Sequence, residues 1–390
     1  MAEFGYYFDS PKFTTEEYQG RLSLARKTMR ERGIEVLILV SPKNLFYLTG
    51  YNTIGTGNYQ ALVIPESGEV AMLIREMEKG IADATTWVED KSTWADHEEP
   101  TDALMRLLKD HNWLGKVIGF EKNAQTFSPA NYEKLLAGLG KTPLDASDIL
   151  NSIRVIKSPQ EIEYIRKAAK ISDLGMEAAM NTIGEGVSEN DVAAEISAVM
   201  IRAGSELMSS GPIITGGYKS GVAHTDWQRY TLRRGDAILF EIGGCWNRYS
   251  GPLMRSAAIL EANEEILRMA DTVKRALEAA IAAIRPGVTS GYVDEACRKV
   301  IEDAGFEEMF RKRTGYSVGV GFTPSWMEAE IFDLKKNDPR VLKAGMVFHM
   351  PPALRRFKKY GIGNSETVLV TENGCEVLTN FPRKFFISNK

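Results

Sequence analysis

Residues 223–255 hold the side chains best suited to chemistry: His224 in Ala223-His224-Thr225-Asp226-Trp227, Glu241 in Ala237-Ile238-Leu239-Phe240-Glu241-Ile242, and Arg255 soon after Pro252. The chain has only 4 histidines. An imidazole titrates near neutrality, so His224 can take a proton from water and return one to a leaving nitrogen. Glu241 interrupts an apolar run, where an unpaired carboxylate is costly to bury, so its charge must be used. Two uses are open: an ion pair with Arg255 across two paired strands, or an electrostatic or nucleophilic role toward a cationic, amidinium-like substrate.

Positioning these groups requires strands. The period-two and apolar runs predict strands at 35–40, 59–65, 69–74, 117–120, 211–215, 237–242, 317–321, 346–350 and 366–370. Helical spacing predicts helices at 15–33, 42–48 (stopped by Gly50), 129–137 (stopped by Gly138), 159–182, 189–203, 264–284 and 290–304. Ser158-Pro159-Gln160-Glu161 has the form of a capping box with proline at the first helical position. It marks the entry to a second domain, dividing the chain into 1–155 and 156–390. Helices and strands alternate in the first part and segregate in the second. An α/β N-terminal domain followed by an α+β domain with a curved antiparallel sheet is expected.

Bulk properties narrow the function classes. A chain of 390 residues favours two cores. A net charge of -4 gives no basic face for nucleic acid. No apolar run reaches membrane-spanning length, and the opening residues lack a basic start and an apolar core, so a cytoplasmic protein is expected. Cys245, Cys297 and Cys375 are too scattered for a disulfide framework or a Cys-x-x-Cys site. The basic run Arg355, Arg356, Lys358 and Lys359 reads as a solvated face; bordering the pocket instead, it would favour a substrate with an extra carboxylate.

Four segments carry a specific resemblance: Arg154-Val155-Ile156-Lys157-Ser158-Pro159-Gln160-Glu161-Ile162, Gly235-Asp236-Ala237-Ile238-Leu239-Phe240-Glu241, Thr314-Gly315-Tyr316-Ser317-Val318-Gly319, and Ala344-Gly345-Met346-Val347-Phe348 leading to Thr367-Val368-Leu369-Val370. Their order and spacing resemble the creatinase, prolidase and methionine aminopeptidase superfamily. That implies a pita-bread catalytic domain behind a smaller creatinase-type N-terminal domain. Peptidases of this superfamily hold two metal ions with five side chains, and the resemblance puts Glu241, Pro252, Tyr316, Pro351 and Ser365 at those positions. Two prolines supply no side-chain donor, and neutral serine and tyrosine are poor ligands for a hard divalent ion. The resemblance therefore implies a metal-free hydrolase with no cofactor.

Within the superfamily the chain is most similar to the ectoine hydrolases, through Phe240-Glu241-Ile242 with Gly244-Cys245, Arg248-Tyr249, Pro252-Leu253, Arg313-Thr314-Gly315-Tyr316, Pro324, Trp326 and Phe348-His349. Such enzymes add water to a cyclic amidine bearing a carboxylate. This implies His224, Glu241 and His349 as catalytic groups, with Tyr316, Trp227, Trp326, Tyr249, Arg255 and Glu366 around a small zwitterionic substrate. His349 shares the strand parity of Pro351 and should face the old metal site, whereas Glu366 has the parity opposite to Ser365. The resemblance also implies a homodimer in which the N-terminal domain of one chain approaches the other's site, bringing Tyr51 and Tyr59. A creatinase-like amidinohydrolase, an Xaa-Pro peptidase and a non-catalytic binding module are the alternatives.

Overall fold

A computed structural model describes residues 12–390; the reading of the opening residues lies outside them. The chain divides into two compact units, Met1–Arg154 and Val155–Lys390. Among the described residues no helix is long and apolar enough to cross a membrane.

The first unit runs α1 (Thr15–Glu31), β1 (Val36–Leu39), α2 (Pro42–Thr49), β2 (Ala61–Pro65), β3 (Ala71–Arg75), α3 (Lys79–Thr85), β4 (Asp90–Trp94), α4 (Pro100–Asp110), β5 (Ile118–Phe120), α5 (Pro129–Leu139), β6 (Leu144–Asp145) and α6 (Ile149–Arg154). Its six strands form one mixed sheet in the order β4-β3-β2-β1-β5-β6. The strand β4, Asp-Lys-Ser-Thr-Trp, is not anticipated by an apolar pattern. It is an edge strand with every residue only partly buried, so it pairs through its backbone and needs no hydrophobic run. Gly138 does not stop α5. The helix runs through it to Leu139, and Gly140, at φ 62°, takes the left-handed cap that glycine adopts without a Cβ clash.

The second unit runs α7 (Pro159–Thr182), α8 (Glu189–Arg202), β7 (Ile213–Gly216), β8 (Ala237–Trp246), β9 (Tyr249–Ile259), α9 (Glu264–Ala283), α10 (Ser290–Asp303), β10 (Gly315–Phe322), β11 (Ser325–Met327), β12 (Asp333–Leu334), β13 (Val347–Met350), β14 (Ala353–Arg356), β15 (Tyr360–Gly363), β16 (Glu366–Thr371), β17 (Gly374–Val377) and β18 (Phe386–Ser388). The Ser158 hydroxyl accepts from the Glu161 backbone N–H, and the Glu161 carboxylate accepts in return from that of Ser158. This closes the capping box that opens α7; a cap of this kind is worth about 1 kcal/mol.

One ten-stranded sheet follows the order β17-β16-β13-β10-β9-β8-β7, with β11, β12 and β18 attached. Its pairings are antiparallel except β18 on β9. Strand alternation then sorts the side chains. Ile238, Phe240 and Ile242 pack with α7 and α8, including Ala179, Val192 and Ile196. Phe348, Met350 and Val368 pack with α9 and α10, including Val273, Leu277 and Cys297. The intervening residues Glu241 and His349 must therefore face the other side of the sheet, where Leu239, Met254 and Ala353 make a small apolar floor. This side holds the candidate site.

Candidate functional site

The candidate site is built from facing strand positions. Tyr316 on β10 lies directly across from His349 on β13, and His349 across from Thr367 on β16, so all three share one face. Ser365, two residues before Thr367, shares it too. The His349 Nδ1 is 2.8 Å from the Tyr316 hydroxyl, and its Nε2 is 2.7 Å from the Ser365 hydroxyl. The Trp326 Nε1–H donates to the Tyr316 oxygen over 3.1 Å, and the backbone N–H of Met254 donates to the Ser365 oxygen over 2.6 Å. An indole N–H can only donate, so the Tyr316 oxygen accepts from Trp326 while it shares a second hydrogen bond with His349 Nδ1, and His349 Nε2 shares one with the Ser365 hydroxyl.

Burial, reinforced by the cation of Lys312, holds His349 well below the usual imidazole range. Burial, with the Glu241 carboxylate nearby, raises the Tyr316 hydroxyl well above the usual phenol range. The Glu241 Oε1 lies 3.9 Å from His349 Nδ1, and its side chain keeps 15% exposure while His349 keeps none. Glu241 thus keeps partial exposure beside largely buried neighbours. Trp326 closes one side: a Cβ on Gly243 would meet its ring at 2.9 Å, so only glycine at that position lets the indole lie against the strand two residues from Glu241.

His349 has the predicted orientation and is fully buried, with Tyr316 and Ser365 on its two ring nitrogens. Four other expectations change. Arg255 does not pair with Glu241. It sits opposite Phe240, on the helix-covered face, fully buried, and its Nη2 meets the Glu366 Oε1 at 2.8 Å. Arg383 Nε also reaches that oxygen, at 2.9 Å. Arg255 and Glu366 are therefore a structural ion pair away from the candidate site. Tyr249 is buried as well and donates to Glu161 Oε1 over 2.9 Å, tying β9 to the start of α7. Tyr51 and Tyr59 are 2% and 7% exposed, inside the core of their own unit, with Tyr59 against Phe127 at 5.0 Å between ring centroids.

His224 lies on an exposed turn between β7 and β8 and makes none of the hydrogen bonds that hold the Tyr316–His349–Ser365 chain. Its backbone takes φ 59°, uncommon for a residue with a Cβ and sustained only where neighbours enforce it. The enforcement is visible. Glu189, fully buried, accepts from Lys219 Nζ at 2.5 Å and from the backbone N–H groups of Gly216 and Gln228. Lys219 donates to the Asp226 carbonyl, and Thr225 donates to the Lys219 carbonyl. The turn also leans on the hairpin β14–β15, which approaches so closely that a Cβ on Gly361 would overlap the Ser220 carbonyl at 2.0 Å. Trp227, 37% exposed, stands on the same turn.

Lys312 was not anticipated as a site residue, and Arg355 only in the alternative where the basic run borders the pocket. Lys312 precedes β10, and burial pulls its ammonium down to about 8, with the Glu241 carboxylate opposing that shift. Arg355 on β14 is lowered by burial and likewise opposed by Glu241. Strand alternation explains Arg355: its neighbour Arg356 turns outward to Glu265, and Lys358 and Lys359 stay in solvent, so one member of the basic run faces inward. The run Arg311-Lys312-Arg313 directly before Thr314-Gly315-Tyr316 is the sequence signal for Lys312.

Among the described residues no three His, Cys, Asp or Glu side chains are grouped to hold a metal ion. The donor set does not fit a dinuclear centre: Pro252 stands opposite Gly243 on the Glu241 face, Pro351 directly follows β13, and Tyr316 and Ser365 are consumed by His349.

Comparisons with known proteins agree with this architecture. Residues 163–372 match the model of metallopeptidase family M24, and residues 21–156 match the creatinase/prolidase N-terminal domain. The ectoine hydrolase of Halomonas elongata is 31% identical, over 96% of this chain and 98% of its own length. The Xaa-Pro dipeptidase of Pyrococcus furiosus is 27% identical, over 93% and 99%. Among solved structures, the dipeptidase PepE from Mycobacterium ulcerans superposes with a TM-score of 0.84 at 25% identity, covering 96% of this chain and 99% of that one. The chain belongs to the M24 metallopeptidase family, with a creatinase-type N-terminal domain and a pita-bread C-terminal domain.

Proposed function

We propose that the chain is a metal-independent hydrolase that opens a C–N bond in a small cyclic amidine, with ectoine-like compounds as the first substrate class. The observation that carries this reading is the fate of the five metal-ligand positions. Only Glu241 keeps a carboxylate, and it remains accessible beside an aromatic wall of Tyr316 and Trp326. A lone carboxylate beside aromatic rings suits an amidinium, which is planar and cationic. Glu241 holds that cation or attacks its carbon, and either use makes the C=N carbon the reacting atom. His224 takes a proton from the water that adds to this carbon. The ring C–N bond then breaks, the oxygen stays on carbon as an amide, and the proton passes to the departing nitrogen as an amine. The enforced left-handed turn at His224 supports that role, since such strain recurs where geometry serves function.

The 31% identity to an ectoine hydrolase supports the substrate class. The peptidase reading has relatives of its own, but its two-metal chemistry requires donors that Pro252 and Pro351 cannot supply. The homodimer is part of the same proposal, without Tyr51 or Tyr59 as contributors. The test is incubation of purified protein with ectoine, creatine and Xaa-Pro dipeptides, followed by mass spectrometry. Gain of one water by ectoine and not by the others is expected. Hydrolysis of dipeptides alone would overturn the reading, and no turnover of any would favour the binding-module alternative.

A further inference from the structure

Behind the site face of β10 lies a pair of opposite charges that the chemistry above does not use. Lys157 and Glu328 each keep 1% side-chain exposure, with the ammonium 3.1 Å from Glu328 Oε2. Lys157 immediately precedes the Ser158 cap of α7, and Glu328 directly follows β11. The Lys157 Nζ also donates to the Ser317 hydroxyl over 3.0 Å. Ser317 stands opposite Phe348, on the helix-covered side of the sheet. The pair therefore braces β10 from behind, while the adjacent Tyr316 faces the site.

Glu328 repairs an irregular ladder. Between paired positions, β10 advances from Val318 to Phe322 while β11 advances only from Met327 to Ser325, so the register shifts. The Val320 N–H in that slack stretch donates to Glu328 Oε1 over 3.1 Å, and the Glu328 backbone N–H donates to the Ser317 carbonyl over 2.8 Å. A Cβ on Gly319 would meet Glu328 Oε2 at 2.5 Å, so only glycine lets the carboxylate lie flat against the strand. Trp326 sits in the same stretch, buried, with its indole N–H on the Tyr316 hydroxyl and its ring against Gly243. A bulge of this kind re-aims a side chain, and the groups around it must then fix where it points.

We propose that Lys157 and Glu328 are positioning residues for the site: as a buried brace they hold the bulged β10–β11 ribbon so that Trp326 lies over Gly243 and gives its N–H to Tyr316. The inference rests on the reading of Trp326 and Tyr316 as the wall against which the substrate cation lies. Two buried opposite charges can be exchanged for packed apolar groups at little cost in stability. Their contribution is geometric, because Lys157 meets Ser317 and Glu328, and Glu328 meets Lys157 and the Val320 N–H, in one arrangement of the ribbon. Neither side chain reaches solvent, so neither meets substrate. A displaced Trp326 loosens binding of the cation and leaves Glu241 and His224 where they are, so loss of the brace falls on KM more than on kcat.

The experiment uses the full-length Lys157→Met, Glu328→Gln double variant, which removes both charges together and keeps an acceptor for the Val320 N–H. The fluorescence of Trp326 is isolated as the difference between each protein and its Trp326→Phe derivative, and kcat and KM are measured for ectoine opening. The double variant should melt close to the wild type, shift the Trp326 emission, and raise KM by about 10-fold with kcat within about 3-fold. Trp326→Phe should raise KM in the wild type and add little in the double variant, because the brace acts through that side chain. Gly319→Ala keeps both charges and pushes the Glu328 carboxylate aside, so it should move emission and KM in the same direction and decides the matter if the double variant does not fold. Trp326 emission unchanged in the folded variants would overturn the proposal, as would a KM penalty that adds in full to that of Trp326→Phe. The functional reading fails separately. A shifted Trp326 in protein that opens no ectoine keeps the brace and removes the amidine, whereas ectoine opening with a normal KM in the variants removes the brace and keeps the amidine.

Discussion

Glu241→Gln is expected to lower kcat for cyclic amidine opening by about 10³-fold or more, because the substitution removes the charge and keeps the shape. The site offers no substitute. Arg255 and Glu366 neutralise each other on the opposite face of the sheet, and Asp333 is held by Arg313. The loss should fall on kcat if Glu241 attacks carbon, and on KM as well if it chiefly anchors the amidinium, so the split between the two constants reports its role. Stability should change little, since the side chain is partly exposed and makes no buried ion pair closer than the 3.9 Å approach to a neutral His349. Activity within a few fold of wild type would remove Glu241 from the chemistry.

His224→Asn should lower kcat by about 10²- to 10⁴-fold, the range expected for loss of a general acid/base. Asparagine is the informative substitution because it tolerates the left-handed conformation of residue 224, whereas alanine would add backbone strain to the loss of the imidazole. The turn is held by Glu189, Lys219 and Thr225, none of which contacts the imidazole through a hydrogen bond. The melting temperature should therefore stay close to that of the wild type. Normal turnover per folded molecule with a lowered melting temperature would make His224 structural.

Strand parity was the most legible feature of the site. It is a local property of sequence, and it correctly turned His349 toward Tyr316 and Ser365 while turning Glu366 away. The capping box at Ser158 and Glu161 was legible for the same reason, since its four residues carry the whole signal. Long-range partners were not. Arg255 meets Glu366 only because β9 and β16 come together around helix α7 and the C-terminal segment, and nothing within residues 237–255 encodes that meeting. Tyr249 finds Glu161 in the same way. Arg355 was obscured by composition, because a basic run on a hairpin looks solvated until the register shows which single member turns inward. Burial of Tyr51 and Tyr59 was hidden because an aromatic residue in a loop or at the start of a strand reads equally well as a surface contact or as core.

The central claim is hydrolysis without a metal centre, and its most direct test is turnover of ectoine by protein purified without added metal, measured before and after dialysis against a chelator, with metal content determined on the same sample. The account predicts well under one metal ion per chain and an unchanged rate after chelation. Stoichiometric metal, together with activity lost to the chelator and restored by a divalent ion, would contradict it.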